Sequence, residues 1–185
     1  MSDATPDLDE PVHIVPYDPA WAALGRALVE QLTTGLRGVD RYAEVEHIGS
    51  TSVPGLDAKP VLDVQIGCAA DDVDGVVGYV RGLGFEHLGE AGVPGREYLR
   101  RRSGQPANVH VVGLRGRLWA DNLLFRDHLR AHPEAAAQYA RAKRDAAGAT
   151  GRLLAYSEHK AATVAELMAA ARASRASRVS RASRV

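Results

Sequence analysis

The sequence predicts a mixed α/β domain closed by a C-terminal helical group. Two patterns carry this reading. Short β-type segments bounded by glycine and proline turns alternate with helical periodicity up to about residue 112. From about Leu118 onward the apolar spacing is helical throughout. At 185 residues the chain has the length of one domain and can bury a core without disulfides or structural metal.

The elements follow in order. Val12–Pro16 reads as a short strand. Asp18 then serves as N-cap and Pro19 as first-turn proline of a helix over about 19–36, with Trp21, Leu24, Leu28, Leu32 and Leu36 at helical spacing. Ala43–Ile48 reads as a strand running into Gly49-Ser50. Val61–Ile66 is the next, with Val61, Asp63 and Gln65 on one face and Leu62, Val64 and Ile66 on the other. Asp71–Leu83 reads as a helix closed by Gly84, and Phe85–Leu88 as a short strand. After the turn Gly92–Gly95, Glu97–Arg102 and Asn108–Val112 form an expected hairpin through Ser103–Ala107. Leu118–Ala131, Pro133–Ala147 and Ser157–Arg172 are the three expected C-terminal helices, the first pair separated by the restriction proline places on the residue before it.

The expected organisation is an acidic disordered lead at 1–11, one domain at 12–172, and a flexible Ser/Arg-rich tail at 173–185, where Ser-Arg-Ala/Val recurs with a period of three. The formal net charge is zero, with the lead acidic and the tail basic. A near-neutral body and 5% aromatic residues argue against a dedicated nucleic-acid surface, leaving the tail as the one basic segment. No apolar run approaches the ~18 residues of a membrane span, and the N-terminus lacks a signal-peptide core. Cys68 is the only cysteine, so no intrachain disulfide forms; a cytoplasmic protein without membrane contact is expected.

The most informative stretch runs from Glu46 to Ile66. A strand ends in Gly49-Ser50, followed by the hydroxyl-rich turn Thr51-Ser52, then Lys59-Pro60, then the strand bearing Asp63. Amides and hydroxyls of such a turn can cradle phosphate oxygens, and a carboxylate on the next strand can hold a divalent metal against them. Ile48-Gly49-Ser50, twelve further residues, and Asp63-Val64-Gln65 resemble the signature of the DNA polymerase beta-like nucleotidyltransferase superfamily.

Further blocks narrow the resemblance. Val15-Pro16-Tyr17-Asp18-Pro19, His47 to Leu56, Ala58 to Asp63, Gly92 to Arg96, Val109 to Val112, Phe125 to Pro133, and Tyr156 to Lys160 resemble the GrpB family, in order, from about 12 to 172. The resemblance implies a nucleotidyltransferase fold, a mixed β-sheet with flanking helices and a C-terminal helical group. It also implies relatives fused to dephospho-CoA kinase.

Active polymerase beta-like enzymes hold two metals on paired carboxylates and usually a third on a later strand. In this sequence the second position is Gln65, and the later strand offers Asn108, His110 and Val112 on one face with no acid. The expected metal set is therefore Asp63 with His110, holding magnesium, manganese or zinc, and both are candidate catalytic residues. Gly49, Ser50, Thr51, Ser52, Lys59, Gln65, Arg96, Arg126, Arg130, Lys143 and Lys160 are the expected phosphate or ligand contacts. Arg126 and Arg130 share a helical face, and Tyr139 with Lys143 and Tyr156 with Lys160 repeat a four-residue spacing. The expected ligand is a nucleotide or another phosphorylated small molecule, with group transfer as the enzymatic reading. The competing readings are a binding module that has lost catalysis and a domain that serves a protein partner.

Overall fold

The computed structural model describes residues 9–182. A single mixed sheet has the strand order β1-β2-β5-β4-β3, with β1 Glu44–Ile48, β2 Leu62–Cys68, β3 Glu86–His87, β4 Arg96–Arg101 and β5 Ala107–Gly113. The central pair, β2 and β5, is parallel, and the remaining pairs are antiparallel. Helices α1 (Ala20–Leu36) and α2 (Val73–Gly82) cover one face, while α3 (Arg117–Ala131), α4 (Pro133–Thr150), α5 (Leu153–His159) and α6 (Ala161–Ala182) form the C-terminal group.

Alternation along β2 sets this arrangement. Leu62, Val64, Ile66 and Cys68 are buried in a cluster with Leu28, Leu32 and Leu36 of α1 and Val76, Val77 and Val80 of α2. The other face of β2 carries Asp63, Gln65 and Gly67. Gly67 leaves room for the Trp119 ring, which would lie 2.8 Å from a Cβ there. Asp63 sits at the β2 end nearest the chain reversal after β1, opposite Asn108 of β5 and Ile48 of β1. A second cluster ties the turn after β1 to the helical group, with Val53 and Leu56 against Leu129, Tyr139 and Leu167.

Helix α1 begins at Ala20 with Pro19 at the cap position, one residue later than expected, and the Asp18 carboxylate still accepts from the amide of Ala20 at 2.9 Å, satisfying a donor at the helix start. The expected strand Val12–Pro16 is instead two isolated bridges, Pro11 with Arg152 and Val15 with Ala58. Prolines at 11 and 16 supply no amide donor, so a ladder cannot propagate there. The expected helix Ser157–Arg172 is two helices that meet at Lys160, and no proline or glycine marks that break.

The two ends differ from expectation. Residues 1–8 of the lead lie outside the described residues, but 9–11 are tied to the body. Glu10 pairs with Arg102 at 2.7 Å, and the Asp9 carboxylate accepts from the amide of Leu154 at 3.0 Å. The Ser/Arg-rich segment, read as non-helical, continues α6 as far as Ala182, and 183–185 lie outside the described residues. Alanine and arginine are among the strongest helix formers. The preceding turns are packed through Leu167 and Ala171, and Arg172 pairs with Asp121 at 2.9 Å, so elongation costs little once the helix exists. Among the described residues no helix is long and apolar enough to cross a membrane.

Candidate functional site

A cleft of about 460 Å³ opens between the Gly49–Thr51 turn, the β2–β5–β4 end of the sheet, and helices α3, α4 and α5. Gly49 shapes its floor. Its backbone (φ 69°, ψ −171°) lies in a region open to glycine alone, and a Cβ would stand 2.7 Å from Asp63 Oδ2. The chain therefore passes directly over the Asp63 carboxylate. Ser50 and Thr51 line the cleft. The Thr51 hydroxyl is 3.0 Å from His47 Nε2, and the Ser52 hydroxyl donates to the Gly49 carbonyl at 2.6 Å. Ser52 thus staples the turn from beneath and does not reach the cleft, unlike the phosphate contact expected from its position.

Asp63 is the hub of a directional network. Its Oδ1 accepts from Asn108 Nδ2 at 2.7 Å and lies 3.3 Å from His110 Nε2. The Asn108 oxygen accepts from the Tyr98 hydroxyl at 2.8 Å and from Arg102 at 3.0 Å, so its amide nitrogen must face Asp63. Arg102 is fixed in turn by Glu10. On the other side, Arg96 Nη1 stands 3.5 Å from His110 Nδ1. A guanidinium only donates, so this contact is made by the tautomer in which Nδ1 accepts and Nε2 directs its proton at Asp63. Burial raises the Asp63 carboxyl, but the hydrogen bonds of His110 and Asn108 and the nearby Lys59 ammonium outweigh it and hold the group at about 2.

Three cations face the cleft without a carboxylate partner among the described residues: Lys59, Arg96 and Lys160. Burial pushes Lys59 down, opposed by the charges of Asp63 and Glu10. Arg96 is steadied by the carbonyls of Glu90 and Ala91, both at 3.0 Å, in the Gly92–Gly95 turn region. Lys160 Nζ lies 3.3 Å from the Tyr139 hydroxyl and over the Tyr156 ring. Phe125, Leu129, Tyr139, Leu154 and Tyr156 supply an apolar and aromatic wall opposite the sheet.

Other predicted residues have different duties. Arg126 touches the cleft but is committed to Glu46 and Asp127, both at 2.7 Å, and to the His47 carbonyl. Arg130 donates twice to the Ser52 carbonyl, at 2.9 and 2.7 Å, and lies outside the cleft. The pair locks the turn onto α3. Lys143 is fully buried beneath the Tyr139 ring and donates to the Asp57 carbonyl, so it braces the loop before Lys59 and contacts no cleft space. Burial, helped by the Lys160 charge, pushes it down to about 7. His47 is packed over Gly25 of α1, and burial pushes it down to about 4 against the pull of Asp63.

Gln65 is the sharpest departure from a metal centre. It is fully buried, its Oε1 accepting from Asn122 at 2.9 Å and its Nε2 donating to the Trp119 carbonyl at 3.4 Å. It binds α3, not the cleft. Among the described residues no group of three or more His, Cys, Asp or Glu side chains is placed to hold a metal. With Gln65 and Asn108 at the other carboxylate positions and His110 spending both ring nitrogens on protein partners, the donor set does not fit a two-metal centre. Gln65→Glu is expected to destabilise the fold by about 1–3 kcal/mol, since a buried carboxylate oxygen would face the Trp119 carbonyl. Urea midpoints give the loss, and calorimetry with magnesium or manganese should show no new metal site.

Sequence reasoning left Asn108 and Tyr98 unassigned. The register of β2 on β5, Asp63 opposite Asn108, is the signal that identifies the first.

Comparisons with known proteins agree with this architecture. The profile of the GrpB protein family matches residues 11–170. A UPF0157 protein of Pseudomonas aeruginosa is 36% identical over 144 residues, covering 73% of this chain and 57% of that protein. A dephospho-CoA kinase of Mycolicibacterium paratuberculosis is 34% identical over 168 residues, covering 74% of this chain and 40% of the kinase. The chain spans 40–66% of the length of the first curated relatives it matches. The crystal structure of GrpB from Enterococcus faecalis superposes with a TM-score of 0.75 at 31% identity, covering 86% of this chain and 96% of that one. A cytoplasmic RNA terminal U-transferase superposes with a TM-score of 0.50 at 19% identity, covering 73% and 40% of the two chains, a likeness of fold alone. With a family match over nearly its whole body and a nucleotidyltransferase-like sheet beneath it, this chain belongs to the GrpB family.

Proposed function

We propose that this chain binds a phosphorylated small molecule, a nucleotide foremost, in the cleft over Asp63. One observation carries the reading: Lys59, Arg96 and Lys160 converge without carboxylate partners on a cleft floored by the Gly49–Thr51 turn. Cations left unpaired in a concave, partly buried site are suited to an anion. The turn supplies amides and the Ser50 hydroxyl for phosphate oxygens. The wall of Phe125, Tyr139 and Tyr156 suits a planar base.

Binding is favoured over group transfer for a chemical reason. A carboxylate held at about 2 is a weak general base at neutral pH. The second and third carboxylates of a two-metal reaction are replaced by Gln65 and Asn108, and no step is derived through such a centre. The kinase relative motivates a second reading, a unit that serves a protein partner, because there a GrpB-like segment accompanies another enzyme in one chain.

A thermal-shift screen separates these readings. Nucleotides, coenzyme A precursors and sugar phosphates are compared with their unphosphorylated counterparts and with aminoglycoside-type acceptors. The expected result is stabilisation of several degrees by one phosphorylated class and none by its unphosphorylated partner. Absence of any shift contradicts the reading and favours the partner-binding one, which a pull-down then tests.

A further inference from the structure

We propose that the cleft takes its phosphate group as a bare dianion, a phosphate monoester free of divalent metal, so that protein cations do the charge neutralisation. The inference rests on the phosphoryl-binding reading above and deepens it.

The polarity of the network is the argument. Asn108 Nδ2 and His110 Nε2 both direct N–H groups at the same Asp63 oxygen. These two N–H groups occupy Oδ1, which leaves Oδ2, beside the Gly49 backbone, as the one Asp63 oxygen a cation could reach. The Asn108 amide cannot turn round to offer its oxygen, because Tyr98 and Arg102 already donate to that oxygen and Glu10 holds Arg102. One remaining oxygen is too small a donor set for a divalent cation, and no further carboxylate joins it among the described residues, so the carboxylate acts as an internal acceptor that orients donors around it.

Charge balance points the same way. Lys59, Arg96 and Lys160 contribute three positive charges, and Asp63 returns one negative charge. Arg126 is neutralised by Glu46 and Asp127. A cleft of net charge near two positive repels a divalent cation and matches the two negative charges of a phosphate monoester. A magnesium triphosphate carries a similar net charge, but it arrives with a cation that needs carboxylate ligands, and the positions beside Asp63 hold Gln65, buried against α3, and Asn108, which donates to Asp63. The ligand class is accordingly a nucleoside monophosphate or another small phosphate monoester.

The test is calorimetry on the full chain with adenosine, cytidine, guanosine and uridine monophosphates, glucose 6-phosphate and their triphosphate counterparts, each in chelator and in excess magnesium. The expected result is monophosphate binding in chelator, unchanged by magnesium, and triphosphate binding weakened by magnesium. Lys59→Ala and Lys160→Ala should each weaken the monophosphate by roughly tenfold or more. Asp63→Asn is decisive, because it removes the one negative charge while keeping the acceptor oxygen. A bare anion is then bound at least as tightly as by the wild type, whereas a metal-bridged phosphate is lost. Binding that requires magnesium, or that disappears with Asp63→Asn in a variant of unchanged melting temperature, overturns the inference and leaves phosphoryl binding standing. No binding in any arm overturns both. If Asp63→Asn does not fold, the chelator arm decides alone.

Discussion

Gly49→Val should abolish ligand binding in the cleft and destabilise the protein by about 1–3 kcal/mol, the cost of forcing a side chain into a glycine-only backbone region. The backbone at Gly49 has φ 69° and ψ −171°, and a Cβ would stand 2.7 Å from Asp63 Oδ2 and 2.8 Å from its Cβ. Neither group can yield cheaply, because Asp63 is anchored by Asn108 and His110 and the turn is anchored by Ser52 and Arg130. Gly55 is the matched control. It also has positive φ (77°), but a Cβ there meets nothing within 4 Å. Gly55→Ala should cost about 1 kcal/mol through backbone strain and leave binding intact. Denaturation midpoints and calorimetry on both variants check this. Equal loss of binding in the two would mean that the turn tolerates no change and that the contact with Asp63 has no special role.

The second large effect concerns pH. Lys143 is 1% exposed, and burial depresses it to about 7 from an ordinary value of 10.5. Between those values the unfolded chain binds a proton that the folded chain does not. Stability therefore rises with pH across this window, by up to about 1.4 kcal/mol per pH unit. Below about 7 the fold carries a buried ammonium and the contribution is flat. Cys68 is raised to about 11, which acts in the opposite sense above pH 9, so pH 7–9 is the clean interval. Lys143→Met should flatten the slope in that interval; burial depresses Lys59 in the same direction, so any slope left in the variant has the same sign. Urea unfolding at several pH values measures it. An unchanged slope in the variant would show that Lys143 stays charged in the fold.

These two residues also show what sequence can and cannot reveal. Gly49 was legible because its role is local: a strand end, a glycine and a hydroxyl turn lie together in the chain, and the aspartate comes from the very next strand. The β2 alternation was legible for the same reason. Lys143 was not. Tyr139 with Lys143 and Tyr156 with Lys160 have the same spacing, yet Lys160 faces the cleft and Lys143 is buried against the Asp57 carbonyl. The difference lies in what each helix packs against, which no spacing records. Arg126 and Arg130 are a similar case: the shared helical face is real, but it meets the back of the turn and its carbonyls. The identity of Gln65 told that a carboxylate was missing. Its burial against Asn122 and Trp119 shows that the position has been absorbed into packing with α3.

The break at Lys160 and the helical Ser/Arg segment were opaque for different reasons. The first carries no proline or glycine, and its lysine is held by tyrosines from two helices. In the second, a three-residue repeat obscures strong helix-forming composition.

The central claim, that the Gly49–Asp63 cleft is a phosphoryl-binding site, is tested most directly by titrating isotopically labelled protein with the phosphorylated compound that gives the largest thermal shift and following backbone amide resonances. The account predicts saturable shifts concentrated at Gly49, Ser50, Thr51, Lys59, Arg96 and Lys160. Shifts confined to the outer face of α1, around Arg26 and Arg37, or to the arginines of α6, with the cleft resonances unmoved, would contradict it.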